Sequence, residues 1–157
     1  MSETIIRQVR ESDCEDIVIL MKMLADYEKM SEDMTATPED IRKMMFEDHS
    51  LDAIIAVNDG KAIGMASFNF YILSTFSGKR VMYLEDLFII ESERGSGLGK
   101  RMMKELCRIA KEKDCMKMEW KCLDWNKTSI GFYNHIGATS NNGWLTFSLP
   151  SDKFLLK

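Results

Sequence analysis

Three groups of residues in this 157-residue sequence have the types and spacing to do chemistry. The first is Arg94-Gly95-Ser96-Gly97-Leu98-Gly99-Lys100. Alternate glycines let consecutive backbone N–H groups point at one anion, and a helix starting there adds its positive N-terminal end. Phosphate binding is the natural use, and a tight turn that needs glycine for steric reasons alone is the alternative. Two phosphate motifs fail on spacing. A nucleotide P-loop needs Gly-x-x-x-x-Gly-Lys followed by Ser or Thr, and Arg94 and Arg101 stand at the first and last of those places. The dinucleotide fingerprint Gly-x-Gly-x-x-Gly has Lys100 where its third glycine belongs. Glu119 falls about twenty residues on, where a ribose-binding acid would stand, but in mid-strand.

The second group is Glu85-Asp86, two acids interrupting the apolar run from Val81 to Ile90. A carboxylate in apolar surroundings has its pKa raised and can take a proton, so Glu85 is a candidate base; a carboxylate satisfied by neighbouring N–H groups is the alternative. The third is Asp124-Trp125-Asn126-Lys127-Thr128-Ser129-Ile130-Gly131-Phe132-Tyr133, ending in Gly137-Ala138. Here Asn126 serves equally well as a helix cap, and Tyr133 as a packed ring.

The elements that must position these groups follow from periodicity. Thr4 to Val9 reads as a strand, and Ser12-Asp13-Cys14-Glu15 matches a capping box in which Ser12 accepts from the third helical N–H. Ile17, Leu20, Met21 and Leu24 then form one apolar helical stripe. Thr37 caps a second helix from Pro38 through Phe46. Ala53 to Val57 and Ala62 to Tyr71 are strands joined by a tight hairpin at Asn58-Asp59-Gly60-Lys61, hence antiparallel. After a polar break at Ser74 to Lys79, Val81 to Ile90 is a central strand. Leu98, Met102, Leu106, Ile109 and Ala110 predict a helix, and Met116, Met118, Trp120 and Cys122 a strand parallel to the one before it. Asn126 to Ile136 is a short helix ended by Gly137, and Gly143 to Leu149 and Phe154 to Leu156 read as late strands. The expectation is an α/β fold, a single domain over residues 1–157 around one mixed sheet.

Bulk properties narrow the function. Apolar residues at 45% and charged residues at 29%, with 2 prolines and 9 glycines, fit a soluble globular domain with no linker. No apolar run is long enough to cross a bilayer and the first residues do not read as a secretion signal, so a cytoplasmic location without membrane association is expected. Four cysteines without a Cys-x-x-Cys pair and 2 histidines point to plain thiols and no metal site. A net charge of −4 disfavours nucleic acid as a partner and suits a cationic small molecule.

The glycine turn, the following Asn126, and Phe132-Tyr133 with Gly137 resemble the GNAT superfamily of N-acetyltransferases in order and separation. Tyr83-Leu84-Glu85-Asp86-Leu87-Phe88-Ile89, Tyr27-Glu28 and Gly143-Trp144 extend the likeness to the spermidine/spermine (diamine) and thialysine branch. Leu123-Asp124-Trp125-Asn126 and Ser74-Thr75-Phe76 look more like the thialysine side. The resemblance implies a strongly twisted central sheet flanked by helices, acetyl-CoA as acyl donor, and a homodimer with substrate sites partly built across its interface. It also implies that main-chain groups of Leu87, Phe88 and Ile89 hold the pantetheine arm and Arg94 to Lys100 the pyrophosphate, with Asn126 and Ser129 on the rest of coenzyme A. Glu85 is then the base, directly or through water, and Tyr133 the acid that protonates the leaving thiolate by direct transfer, without an acyl-cysteine. Tyr27, Glu28, Asp86 and Glu119 match positions around the acceptor channel. Ser74 and Asn142 stand where the spermidine/spermine enzyme carries acids, so a diamine or thialysine-like amine is expected before spermidine. A non-catalytic acyl-CoA sensor, and an acetyltransferase of protein or antibiotic amines on the same fold, are the alternatives.

Overall fold

The structure is a computed structural model that describes residues 3–140 and 143–155. It divides into two compact units, residues 1–121 and 122–157.

In the first unit, five strands among the described residues form one sheet in the order β1-β2-β3-β4-β5: Ile5–Gln8, Asp52–Asn58, Lys61–Ser74, Lys79–Ile89 and Cys115–Glu119. The first three junctions are antiparallel and β4–β5 is parallel. Asp59 and Gly60 both take positive φ, 50° and 74°, the left-handed pair that turns β2 into β3. The parallel junction is made by α3, Leu98–Glu112, whose Leu98, Met102, Met103, Leu106 and Ala110 are buried. Each long apolar side chain so buried contributes roughly 1.5–3 kcal/mol. On the other face, α1 (Cys14–Tyr27) and α2 (Pro38–Arg42) cover a core of Ile17, Leu20, Ile41, Ile55, Met65 and Phe88. Thr37 caps α2 as expected, its hydroxyl accepting from Asp40 N–H at 3.2 Å, and the coil continues through Glu47 as a π turn.

The start of α1 differs from expectation. Ser12 lies in a 3-10 turn, Glu11–Asp13, and does not cap. The Asp13 carboxylate closes the turn instead, accepting from Arg10 N–H at 2.7 Å and twice from the Arg7 guanidinium at 2.7 and 2.9 Å. A buried carboxylate with a bidentate arginine outcompetes an exposed serine hydroxyl. The Arg7 guanidinium, ahead of the opposing effect of burial, holds the Asp13 carboxyl below its ordinary range. Its contribution to stability is therefore present above the unfolded carboxyl pKa and is lost as pH falls through the lower, folded one. Asp13→Ala should cost about 2 kcal/mol in denaturant titrations near neutral pH, and the deficit should shrink in acid.

The second unit contains α4, Lys127–His135. Asn126 Oδ1 caps it by accepting from Ser129 N–H at 3.2 Å, and Gly137 ends it at φ 92°. The late strands are not formed. Residues 143–150 make no ladder, with Trp144, Leu145 and Phe147 more than four-fifths exposed, and Ser151–Lys153 is a 3-10 turn. Phe154 and Leu155 belong to no strand, and Leu156 lies outside the described residues. Alternation of Leu145, Phe147 and Leu149 describes a face, whereas a strand also needs a hydrogen-bonding neighbour.

Candidate active site

The pairing of β4 with its two neighbours sets up the site. Ser67 pairs with Asp86 and Phe68 with Leu84, leaving Glu85 as the extra residue of a β-bulge. Pairing of β4 with β5 stops at Tyr83–Glu119. From Leu84 to Ile89, β4 keeps its ladder with β3, while no β5 residue pairs with it. Leu87, Phe88 and Ile89 all pair with β3, and on the opposite edge β5 supplies no ladder partner, so main-chain groups turned to that edge meet the requirement for binding an amide-rich arm; the Ile89 carbonyl is taken by Arg94. Strand β5 is shorter than expected for the same reason, ending before Trp120 and Cys122.

Beyond Ile89 the chain makes a 3-10 turn, Glu91–Glu93, and enters the glycine run. Gly95 and Gly97 take φ of 77° and 84°, and a Cβ on either would meet nothing within 4 Å. Steric crowding therefore does not require glycine here, whereas the left-handed backbone does. Gly97 is the N-cap of α3, and the helical ladder opens with Arg101 N–H donating to Gly97 O at 3.1 Å. The N–H groups of Leu98, Gly99 and Lys100 precede that ladder at the positive end of a fifteen-residue helix. Ser96 steadies the turn by donating from Oγ to Glu93 O at 2.7 Å. Main-chain donors ahead of a helical ladder are the chemistry that a phosphate group requires. The Arg94 side chain is engaged outside the turn: its Nε donates to Ile89 O at 2.9 Å and its guanidinium lies over the rings of Tyr27 and Phe88.

The paired registers Ser67–Asp86, Asn69–Tyr83 and Tyr83–Glu119 place a polar patch on one face of the sheet. Asp86 is its most enclosed acid. Burial pushes its carboxyl up, against a hydrogen bond from Ser67 Oγ at 2.6 Å. Glu28 at the end of α1 is likewise raised, by burial first and then by the charge of Asp86. Glu85 is placed differently from expectation: it is exposed, and accepts from Asn69 Nδ2 at 3.1 Å. Glu85 is thus open to solvent at the bulge, and Asp86 is the acid that the strand encloses. Glu119 is already engaged, accepting from the Tyr71 hydroxyl and pairing with Lys117. Burial and then Glu119 push Tyr71 up to about 12. Asn142 lies outside the described residues.

Replacing Asp86 by Asn should raise the melting temperature near neutral pH by about 2 °C or more, as roughly 1 kcal/mol does in a domain this size. A carboxyl whose folded pKa exceeds its unfolded value destabilises the fold above the folded pKa, and that penalty disappears as pH falls towards the unfolded value. Melts from pH 8 to pH 4 should therefore converge for the two proteins in acid.

In the second unit Asn126, Ser129 and Tyr133 follow one another at spacings of three and four along α4, hence on one side of it. The half-buried Tyr133 ring packs on Phe132 at 5.6 Å and 57°. Sequence reasoning missed Ser67, Asn69, Tyr71 and Tyr83. The available signal was the polar residues at alternate places in an apolar strand, opposite two acids. Among the described residues no cluster of three or more His, Cys, Asp or Glu side chains suits a metal ion, and no helix is long and apolar enough to cross a membrane.

Residues 14–138 match the model of the acetyltransferase (GNAT) family. A thialysine N-epsilon-acetyltransferase of Mus musculus is 35% identical, covering 97% of this chain and 95% of its own. A human spermidine/spermine N(1)-acetyltransferase-like protein 1 is 34% identical over 96% of this chain, which spans 23% of that longer protein. Among solved structures, an integron cassette protein from the mobile metagenome of V. cholerae superposes with a TM-score of 0.74 at 28% identity, covering 92% of each chain. The bulged β4, the glycine turn and these matches agree: the chain belongs to the GNAT family and is an N-acetyltransferase.

Proposed function

We propose that the protein transfers the acetyl group of acetyl-CoA to a primary amine of a small cationic acceptor, a thialysine-like amine or diamine first and spermidine second. The observation that carries this reading is the juxtaposition within one unit of a left-handed glycine cradle, an open β4 edge and the raised carboxyls Glu28 and Asp86. The curated relatives named for thialysine favour that side of the branch.

When bound, the thioester supplies an activated acetyl group. Gly95 to Lys100 hold the pyrophosphate through main-chain N–H groups, and Leu87 to Ile89 hold the pantetheine arm. Glu28 and Asp86 attract the ammonium groups, and one carboxylate of the Glu85-Asp86 bulge takes the proton. An amine of pKa about 10.4 needs this help, because its neutral form lies on the order of 4–5 kcal/mol uphill at pH 7. Glu85, open to water at the bulge, accepts that proton and passes it to solvent, and Tyr133 donates to the departing sulfur. Direct attack by a positioned amine needs no covalent enzyme intermediate. The same reading takes residues 1–157 as a single acetyltransferase domain acting as a cytoplasmic homodimer, with no nucleic-acid or membrane partner.

Thiol release from acetyl-CoA over lysine, thialysine, putrescine, spermidine and spermine tests it. Amine-dependent release with thialysine or putrescine ahead of spermine is expected. Coenzyme A binding with no amine-dependent release would instead make the protein an acyl-CoA sensor.

A further inference from the structure

Arg94 opens the glycine turn, yet its side chain makes three contacts on the other side of it. Nε donates to the carbonyl of Ile89 at 2.9 Å, and Cζ lies 5.0 Å from the Tyr27 ring centroid and 5.5 Å from that of Phe88. The two rings belong to different elements. Tyr27 is the last residue of α1, whereas Phe88 is buried in the half of β4 that pairs with β3 but not with β5. A planar guanidinium offers both faces to aromatic rings while its edge donates, which an ammonium cannot do.

What the guanidinium fixes is the exit of α1. There the chain makes turn bonds from Glu28 N–H to Leu24 O and from Lys29 N–H to Asp26 O, and turns through Lys29 at φ 61°. Glu28, the neighbour of Tyr27, is half-buried and feels the charge of Asp86. Holding Tyr27 against β4 therefore holds Glu28 towards the carboxylate on that same strand.

We propose that Arg94 is a positioning residue of the acceptor wall, clamping Tyr27 and with it Glu28 onto β4, and is not an anion ligand of the glycine turn. The acceptor part of this inference rests on the function proposed above; the clamp itself does not. Anion binding is left to the main-chain donors of the turn.

The test compares Arg94→Gln, Tyr27→Leu and the double variant with the wild-type chain by three readouts: acceptor KM and kcat, coenzyme A affinity by calorimetry, and amide exchange at residues 27–30. Arg94→Gln should raise acceptor KM about tenfold while kcat and the coenzyme A Kd each change less than about threefold. Exchange at residues 27–30 should speed up about tenfold, with β2 and β3 unchanged as the control for folding. Because Arg94→Gln already breaks the contact with the ring that Tyr27→Leu removes, the double variant should be no more than about twofold worse than Arg94→Gln. Tyr27→Phe, which keeps the ring, should retain wild-type exchange. A rise of tenfold or more in the coenzyme A Kd with acceptor KM unmoved, or unchanged exchange at residues 27–30 in Arg94→Gln, overturns the proposal. If the wild-type chain acetylates no amine in the panel, the functional reading fails, while exchange and coenzyme A affinity still decide what Arg94 does.

Discussion

Tyr133→Phe should lower kcat about 100-fold, leave acceptor KM and the coenzyme A Kd within about threefold of wild type, and leave the melting temperature almost unchanged. The substitution removes one oxygen from a half-buried ring on α4 that keeps its contact with Phe132. The helix-ending bond from Ala138 N–H to the Tyr133 carbonyl is main-chain and is unaffected. Helix and packing are therefore preserved, and what goes is a donor. The size of the effect follows from acidities. A tyrosine hydroxyl of reference pKa about 10 stands about 1.5 units above a thiol of about 8.5, so full transfer to a free thiolate is uphill by roughly 2 kcal/mol. As the acid of the proposed mechanism, Tyr133 would act best while the carbon–sulfur bond is still breaking and the sulfur is more basic, which puts the expected loss near the lower end of the hundred- to ten-thousandfold range of general acids. Steady-state kinetics on a thialysine-type acceptor measure it. A variant with unchanged kcat would remove Tyr133 from the chemistry and leave it a packing residue.

Much of the fold was readable because two of its signals are local. The stripe from Leu98 to Ala110 keeps helical spacing, and Asp59-Gly60 is a left-handed pair with strands on both sides. Features that depend on a partner were not readable. The bulge at Glu85 exists only in the register of β4 against β3, and the end of β5 only where its pairing with β4 stops. The alternation from Leu145 to Leu149 looks like any strand, yet residues 143–150 acquire no ladder. Ser12 fits a cap by spacing, but Asp13 had a stronger offer from Arg7 six residues upstream, and a capping rule does not look that far.

The site divides along the same line. A glycine turn declares itself, since a φ near 80° demands the residue type that the sequence shows. Which of two adjacent acids is enclosed is a question of pleat and bulge, and here the enclosed one is Asp86, held by Ser67. Arg94 and Tyr27 lie far apart in the chain, so their contact had no sequence signal at all.

The cradle itself carries the second large effect. Gly97→Val should weaken coenzyme A binding by about 100-fold or more, and Gly97→Ala by about tenfold. Gly97 sits at φ 84° and ψ 0° with nothing within 4 Å of an added Cβ, so no core clash accompanies the change. The left-handed conformation costs an alanine roughly 1–2 kcal/mol, and a β-branched valine more. The backbone relieves that strain by rotating towards negative φ, which swings the neighbouring N–H groups off a common focus. Hydrogen bonds from N–H groups to a charged oxygen are worth about 1.5–3 kcal/mol each, so misdirecting one or two accounts for a loss of this size. Gly131→Ala provides the contrast. That glycine lies inside α4 without a positive φ and with open space around it, so alanine should leave coenzyme A affinity unchanged and stabilise the helix by up to about 1 kcal/mol. Calorimetric titration with coenzyme A, alongside thermal melts to separate binding from folding, gives both numbers. If Gly97→Val stays folded and binds as tightly as wild type, the main-chain cradle is not what anchors the pyrophosphate.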